Sequence, residues 1–402
     1  MSLIVQKFGG SSVADPEKVR RVAGIIAETY RAGNDVVVVL SAQGKTTDRL
    51  IATAKEYNPR PSKREMDMLL STGEQQSVAL CAMMLESMGI PAISLTGWQV
   101  DFKTNSNYSN AAIKSVGQER IRRELDARRV VLVTGFQGIN KYDDITTLGR
   151  GGSDTSAVAI AAALHADLCQ IYTDVDGVYT ADPNKVRGAK KLDEITFDEM
   201  LELASMGAKV LHNRSVEMAK RYNVDLEVLS SYEKKPGTKV RRISKVEQAE
   251  VSGVAKDVNV ARITVIGMED KPGIAFGIFS TLAKEKINVD IILQTLGHGG
   301  AQSITFTVAR GDGERACEIL EQHIDELGFS GLDMDTHVAK VSIVGAGMLT
   351  TSGIAAKMFD ALASRKINIK MISTSEIKVS VLVDEDDADK AVQAVHDKFF
   401  GD

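Results

Sequence analysis

At 402 residues the chain is too long for a single compact core, and its length predicts two or three domains. Apolar residues at 44% and charged residues at 26% exclude a disordered or fibrous protein. A net charge of −5 argues against nucleic-acid binding, because no basic excess is available to neutralise phosphates.

Leu3–Phe8 reads as a first strand, and Asp15–Ala32 as a helix with Asp15 as N-cap and Pro16 in its first turn. No basic-then-apolar segment precedes that strand, and no apolar run approaches the ~20 residues of a membrane span. A cytoplasmic protein with no membrane partner is expected. Asp35–Ser41 is a short continuous apolar run, the pattern of a strand covered on both faces. Further strands are predicted at Ile93–Leu95, Val130–Thr134, Gln170–Thr173 and Asp225–Leu229, with helices between them. The alternation predicts an α/β fold, an αβα sandwich around a mainly parallel sheet. Cys81, Cys169 and Cys317 lie far apart in apolar stretches and read as buried structural thiols, not as a disulfide framework or zinc site.

Composition shifts over Ser230–Ser252, where Lys234-Lys235-Pro236-Gly237 and Arg241-Arg242 read as solvated linker. Beyond it the sequence repeats. Gly273-Ile274-Ala275 recurs as Gly353-Ile354-Ala355, an offset of 80 residues, and Lys286-Ile287-Asn288 recurs as Lys366-Ile367-Asn368. Each copy reads strand, glycine turn, helix, strand, which predicts two small α+β ferredoxin-like βαββαβ units. The expected domains are 1–245, 246–335 and 336–402, with 246–260 open to joining the last.

Two familiar nucleotide signatures fail. Gly44-Lys45-Thr46 resembles the end of a Walker A loop, but Val39 stands where its first glycine belongs. Gly149-Arg150-Gly151-Gly152-Ser153-Asp154 resembles a dinucleotide fingerprint, but Asp154 stands where a third small residue is needed. Lys7-Phe8-Gly9-Gly10-Ser11-Ser12 is a stronger signal. A strand ending in lysine, then two glycines and two hydroxyls, delivers a cation and free backbone N–H groups to one point, as anion binding requires. Arg150 has the fork geometry to grip a carboxylate. Asp154 can cap a helix or orient a nearby lysine, and the two roles are compatible. The acidic, turn-rich Tyr172–Pro183 lacks EF-hand spacing.

Taken together, KFGGSS at 7–12, SAQGKTTD at 41–48, STGE at 71–74, GFQG at 135–138, LGRGGSDTSA at 148–157, YTDVDGVYTADP at 172–183 and MGAKVLH at 206–212 resemble, in that order, the aspartate kinases of the amino-acid-kinase superfamily. KMISTSEIKVSVLV at 370–383 resembles the second of that family's tandem ACT modules. The likeness spans the chain. It departs at Gln43, where the family often has Met, and at Asn213, where Pro commonly follows the His.

The resemblance implies ATP-dependent phosphorylation of the L-aspartate β-carboxylate, the first step of lysine, threonine and methionine biosynthesis. It implies Lys7 as the catalytic cation and Asp154 as its organiser. Ser41, Thr47, Glu74, Phe136, Arg150 and Ser153 would bind aspartate, with Arg150 on the α-carboxylate and Glu74 on the α-ammonium. For Glu74, spacing alone leaves a helix first-turn acid equally open. Lys7, Gly9, Gly10, Ser11, Thr173, Asp174, Tyr179, Asp182 and Lys209 would surround ATP, with Mg²⁺ held by phosphates and water rather than by side chains. Lysine, threonine or both would act as effectors at the ACT modules. The candidates are Asp270, Gly273, Ile274, Ala275, Asn288 and Gln294 in the first copy, and Ser352, Gly353, Ile354, Asn368, Ser373, Thr374, Ser375 and Glu376 in the second. Asn288 and Asn368 are open to the plainer reading of helix termination. A homodimer through ACT pairing is expected, with or without a shorter subunit containing only the C-terminal part. The rivals are a glutamate or N-acetylglutamate kinase and a non-catalytic amino-acid sensor.

Overall fold

The computed structural model describes residues 1–205, 210–242, 250–268, 271–296, 302–349 and 351–401. They form two units. One holds Met1–Tyr179, Lys191–Ser205 and 210–242; the other holds Thr180–Lys190 and the described residues of 250–401.

The first unit begins β1 (Leu3–Phe8), α1 (Pro16–Arg31), β2 (Asp35–Leu40), α2 (Thr46–Tyr57), α3 (Lys63–Leu70), α4 (Thr72–Ser87), β3 (Ala92–Leu95), β4 (Lys103–Thr104), β5 (Ile113–Ser115) and α5 (Glu119–Asp126). It continues β6 (Val130–Thr134), β7 (Gln137–Ile139), β8 (Ile145–Thr147), α6 (Gly152–Leu164), β9 (Leu168–Thr173), β10 (Glu194–Thr196), α7 (Phe197–Ser205), α8 (Asn213–Tyr222), β11 (Leu226–Ser230) and β12 (Thr238–Arg241). Asp15 caps α1 as predicted, accepting from the Lys18 N–H at 2.9 Å ahead of Pro16.

The main sheet runs β10-β12-β11-β9-β1-β2-β6-β3, and every pairing from β11 to β3 is parallel. Such a sheet needs cover on both faces. On one face Val22 and Ile26 of α1 and Cys81 and Leu85 of α4 pack with Phe8, Val38, Leu40 and Leu132. Alternation turns Lys7 to the other face. There it meets α6, which packs on β1, β2 and β9 and is buried along most of its length. A small second sheet, β5-β4-β7-β8, was not predicted. Its strands of two or three residues are too short to show a period. Cys81 and Cys169 are buried as expected, whereas Cys317 is only partly buried; all three are free thiols.

The second unit contains β13 (Gly253–Met268), α9 (Ile274–Lys284), β14 (Val289–Leu296), β15 (Gln302–Val308), α10 (Gly313–Glu321), α11 (Ile324–Leu327), β16 (Gly331–Val344), α12 (Ile354–Ser364), β17 (Met371–Thr374), β18 (Lys378–Asp384) and α13 (Ala388–Phe400). Its sheet runs β14-β15-β13-β16-β18-β17. The two long central strands are shared between the repeats. Ile263 of β13 faces Met334 of β16 beside β15, whereas Gly253–Asp257 face Val344–Lys340 beside β18. Register shifts around Val260 mark the change. Each copy therefore takes its fourth strand from the extension of the other's first.

The repeat is also visible in the backbone. Gly273 and Gly353 precede their helices at φ 96° and 87°, and Lys286 and Lys366 follow them at φ 62° and 58°. The helix-terminating left-handed residues are thus these lysines, not Asn288 and Asn368. Thr180–Lys190 contributes Ala181 and Val186 to a core with Met358, Leu362, Val381 and Val395. Gln393 of α13 accepts from the Arg187 N–H at 2.8 Å and donates to its carbonyl at 3.1 Å. Among the described residues no helix is long and apolar enough to cross a membrane.

Candidate active site

Strands β1, β2, β6, β9 and β11 end on the same edge of the sheet, and ligands of open parallel sheets bind outside such carboxyl ends. Lys7 stands at the end of β1, and its Nζ lies 2.6 Å from Asp154 Oδ1; the two side chains are 12% and 14% exposed. Asp154 is in the first turn of α6 but is not its N-cap. Gly151 takes that place in the left-handed region at φ 67°, with no side-chain cap bond. The carboxylate is thus committed to Lys7.

The turn after Lys7 presses against the loop after β2. A Cβ on Gly10 would sit 2.4 Å from the Ala42 carbonyl oxygen, so no side chain fits there, and the Gly44 N–H donates to Gly10 O at 2.9 Å. Ser41 donates its N–H to Phe8 O at 3.2 Å. The next residue, Ala42, donates to Glu74 Oε1 at 3.1 Å. Glu74 lies in the first turn of α4 as its spacing suggested, but it is only 3% exposed, and its Oε2 is buried with no hydrogen-bond partner among the described residues. Burial pushes its carboxyl up to about 7, against the opposing pull of the Ala42 N–H. An acid serving only the helix dipole needs no such burial. Thr47, in the first turn of α2, is partly exposed.

Arg150 is exposed on the loop between β8 and α6, with Gly149 and Gly151 both at positive φ. The next residues close on the end of β6: a Cβ on Gly135 would meet Ser153 Oγ at 2.7 Å. Phe136 is held at φ 69°, which costs a non-glycine residue on the order of 1–3 kcal/mol. Bonds from Leu148 N–H to Phe136 O (2.8 Å) and from Phe136 N–H to Ser156 Oγ (3.1 Å) hold it there. The sequence reading missed two charged residues that touch this loop. Asp67, on α3, is fully buried and accepts from Thr147; Arg214, at the start of α8, donates to Leu148 O. The signal for Asp67 was a lone acid in the apolar Met66–Leu70 run; Arg214 looks like any helix-surface arginine.

At the end of β9, Thr173 O accepts from the Ser231 N–H at 2.9 Å, and Ser231 Oγ accepts from Ser12 Oγ at 2.8 Å. This links the β1 turn, including the exposed Ser11, to β9 and β11. Asp174 is exposed and accepts from Thr173 Oγ1 at 3.0 Å. Tyr179 donates to Asp176 Oδ1 at 2.7 Å, a bond that pushes its phenol up to about 12. Asp182 falls in the second unit, where it accepts from the Asn184 N–H at 3.0 Å. Lys209 and Asp270 lie outside the described residues.

In the second unit a cavity of about 300 Å³ is lined by Lys271, Pro272, Gly273, Ile274, Ala275, Gln294, Gln302 and Ile304. It gathers Gly273, Ile274, Ala275 and Gln294 of the first-copy candidates. Asn288 is not among its lining residues and is exposed. In the second copy, Ser352, Gly353, Asn368, Thr374, Ser375 and Glu376 are exposed, Ser373 is partly exposed and Ile354 is buried.

Similar proteins were found at every level. A model of the amino acid kinase family matches residues 2–230, and a model of the ACT domain matches 263–324 and 341–399. Over 405 aligned residues the chain is 52% identical to an aspartokinase of Mycolicibacterium smegmatis, covering 99% of this chain and 96% of that one. Its fold is similar to that of E. coli aspartokinase III in complex with aspartate and ADP in the R-state, with TM-score 0.82, 27% identity, and 99% of this chain and 100% of that one covered. It is similar too to the same enzyme in complex with lysine and aspartate in the T-state, with TM-score 0.74, 27% identity and 99% of each chain covered.

Proposed function

This chain belongs to the aspartokinase family of amino acid kinases, and from that membership we propose that its strand-end cleft moves the γ-phosphoryl group of ATP onto the β-carboxylate of L-aspartate. The acceptor carboxylate titrates near ~3.9 and is already ionised at neutral pH, so no general base is required. The difficulty is that one anion must attack another. Catalysis is then positioning plus charge neutralisation. A β-carboxylate oxygen bonds to the γ-phosphorus as the bond to the β,γ-bridging oxygen breaks, and ADP leaves.

The observation that carries this reading is the Lys7–Asp154 ion pair at the carboxyl edge of the parallel strands. Asp154 aims Lys7 at the transferring group. Arg150 takes the acceptor's α-carboxylate, and Glu74, with its unpartnered Oε2, takes the α-ammonium. Ser41, Thr47, Phe136 and Ser153 line the acceptor side. Gly9, Gly10, Ser11, Thr173, Asp174 and Tyr179 form the nucleotide side of this proposal, and Lys209 belongs to it by resemblance. Asp174, an oxygen acceptor exposed at the end of β9, suits the water shell of a hard cation rather than direct ligation. Mg²⁺ would be carried on the triphosphate with its own waters and would supply charge neutralisation. A coupled assay of ADP release with aspartate, glutamate and N-acetylglutamate tests the assignment. Aspartate is expected to be strongly preferred; equal rates with the others, or no release with any, would overturn it.

Glu74 sets an expected pH dependence. Its folded-state carboxyl, at about 7, is neutral below that pH and then a poor partner for an ammonium. Aspartate's own carboxyls titrate far lower. kcat/KM for aspartate should rise about tenfold per pH unit up to about pH 7 and then level off. Glu74→Gln should abolish that slope. The stability effect has the opposite sign. Because the folded value lies above the unfolded value of 4.5, the folded protein holds the proton more tightly, so ligand-free stability falls as pH rises from 4.5 to about 7. Thermal midpoints across that window, against Glu74→Gln, check this.

The cavity beside Gly273 is our proposed first-copy effector site. The free N–H groups at the start of α9 suit an amino-acid carboxylate. Lysine, threonine or the two together are the proposed effectors, coupled to the kinase by binding two states unequally. The proposed assembly is a homodimer through the ACT repeats, with or without a shorter C-terminal subunit, in the cytoplasm. Titrating each amino acid into the full chain should raise its thermal midpoint and change the rate. No shift with either, alone or combined, would remove the regulatory assignment.

A further inference from the structure

Arg150 sits between two glycines in the left-handed region; on its far side the Gly152 N–H donates to Gly149 O at 3.0 Å, and a Cβ on Gly151 would meet His212 Cγ at 2.2 Å. Bidentate recognition of a carboxylate tolerates only small displacements, so the loop's flanks must be held. Two charged residues hold its leading flank, Thr147-Leu148. Asp67, fully buried on α3, accepts from Thr147 N–H at 2.9 Å and Thr147 Oγ1 at 2.8 Å. It also accepts from Ser109 N–H at 2.8 Å and Ser109 Oγ at 3.3 Å. Arg214, partly buried at the start of α8, donates Nη1 to Leu148 O at 3.1 Å and Nη2 to Ala111 O at 2.7 Å.

One anion and one cation thus grip the same two segments, 109–111 and 147–148. The anion takes their donors and the cation takes their acceptors. The Ala111 N–H closes the arrangement on Thr147 O at 2.9 Å. The position of Asp67 in the chain adds a second connection. α3 runs through Ser71 directly into α4, and Ser71 O accepts from Gln137 Nε2 at 2.9 Å. Glu74 is in the first turn of that next helix. Asp67 therefore ties the helix pair that presents Glu74 to the loop that presents Arg150. Arg214 offers its charge to neutral carbonyls, and burial alone pulls its guanidinium below its ordinary value. Its planar fork bridges both carbonyls with one rigid group, Nη1 on Leu148 O and Nη2 on Ala111 O.

We propose that Asp67 and Arg214 are positioning residues for the acceptor amino acid, fixing the Arg150 loop relative to Glu74 without touching the substrate. This rests on the reading of Arg150 and Glu74 as the groups that hold the acceptor. Among the described residues neither side chain hydrogen-bonds to the ends of β1 or β9, where the nucleotide is proposed to sit, so their loss should fall mainly on the acceptor.

The test uses the full-length enzyme with Asp67→Asn, Arg214→Lys and Arg150→Ala, alone and combined, measuring kcat, both KM values and the thermal midpoint. Asp67→Asn and Arg214→Lys should each raise KM for aspartate at least about tenfold, with KM for ATP nearly unchanged. In the Arg150→Ala background neither should raise it much further, because the residue being positioned is gone. A merely structural role would lower the thermal midpoint, move both KM values together and add in full to Arg150→Ala; that result overturns the proposal. Should Asp67→Asn fail to fold, Arg214→Lys at its less buried site decides alone. If Arg150→Ala by itself leaves KM for aspartate unchanged, the acceptor reading fails and the positioning role falls with it. If Arg150→Ala raises KM but the other two do not, only the positioning role is lost.

Discussion

Replacing Lys7 with alanine is expected to lower kcat about a hundred- to a thousandfold, the loss typical of removing one preorganised group that stabilises developing charge. Lys7 is held 2.6 Å from Asp154 with both side chains largely buried, so it cannot be substituted by a mobile solvent cation. Its removal also leaves Asp154 without its cation, and a negative group facing the triphosphate adds to the barrier. KM for aspartate should change much less, because Lys7 acts on the transferring group and not on the acceptor's ends. Steady-state ADP release, with a thermal scan to show that the variant is folded, checks this. Near-normal turnover would take Lys7 out of the mechanism.

Arg150→Ala should act in the complementary direction, raising KM for aspartate by about ten- to a hundredfold. That corresponds to roughly 1.5–3 kcal/mol for hydrogen bonds to a charged group. The side chain is exposed, so the thermal midpoint should hardly move. Arg150→Lys should recover only part of the loss, since a point charge cannot reproduce the guanidinium fork. KM for ATP serves as the internal control. A parallel rise in both constants would mean that the loop carries a general structural role instead.

Much of the catalytic side was legible because its chemistry is local. The Lys7–Ser12 run places a cation and bare N–H groups at a strand end, and the apolar Asp35–Leu40 run identifies a strand covered on both faces. The 80-residue repeat reappears as left-handed residues at Gly273 and Gly353 and again at Lys286 and Lys366. The misses are tertiary. That Asp154 pairs with Lys7, as the resemblance implies, without also capping α6 depends on how α6 meets β1. The sharing of β13 and β16 between the repeats depends on pairing partners that no local pattern records. Asp67 and Arg214 take their meaning from partner groups 42–103 residues away in the chain. Cys317 has an apolar sequence context but a half-open site.

The central claim is that this cleft lets one anion attack another, phosphorylating a carboxylate. Hydroxylamine trapping tests it most directly, because an acyl phosphate reacts to give a stable hydroxamate and an unreacted carboxylate does not. With ATP, Mg²⁺ and L-aspartate, the full-length protein should yield β-aspartyl hydroxamate in step with ADP, and Lys7→Ala should suppress both. ADP released without hydroxamate, or hydroxamate formed equally well by the Lys7 variant, would contradict the account.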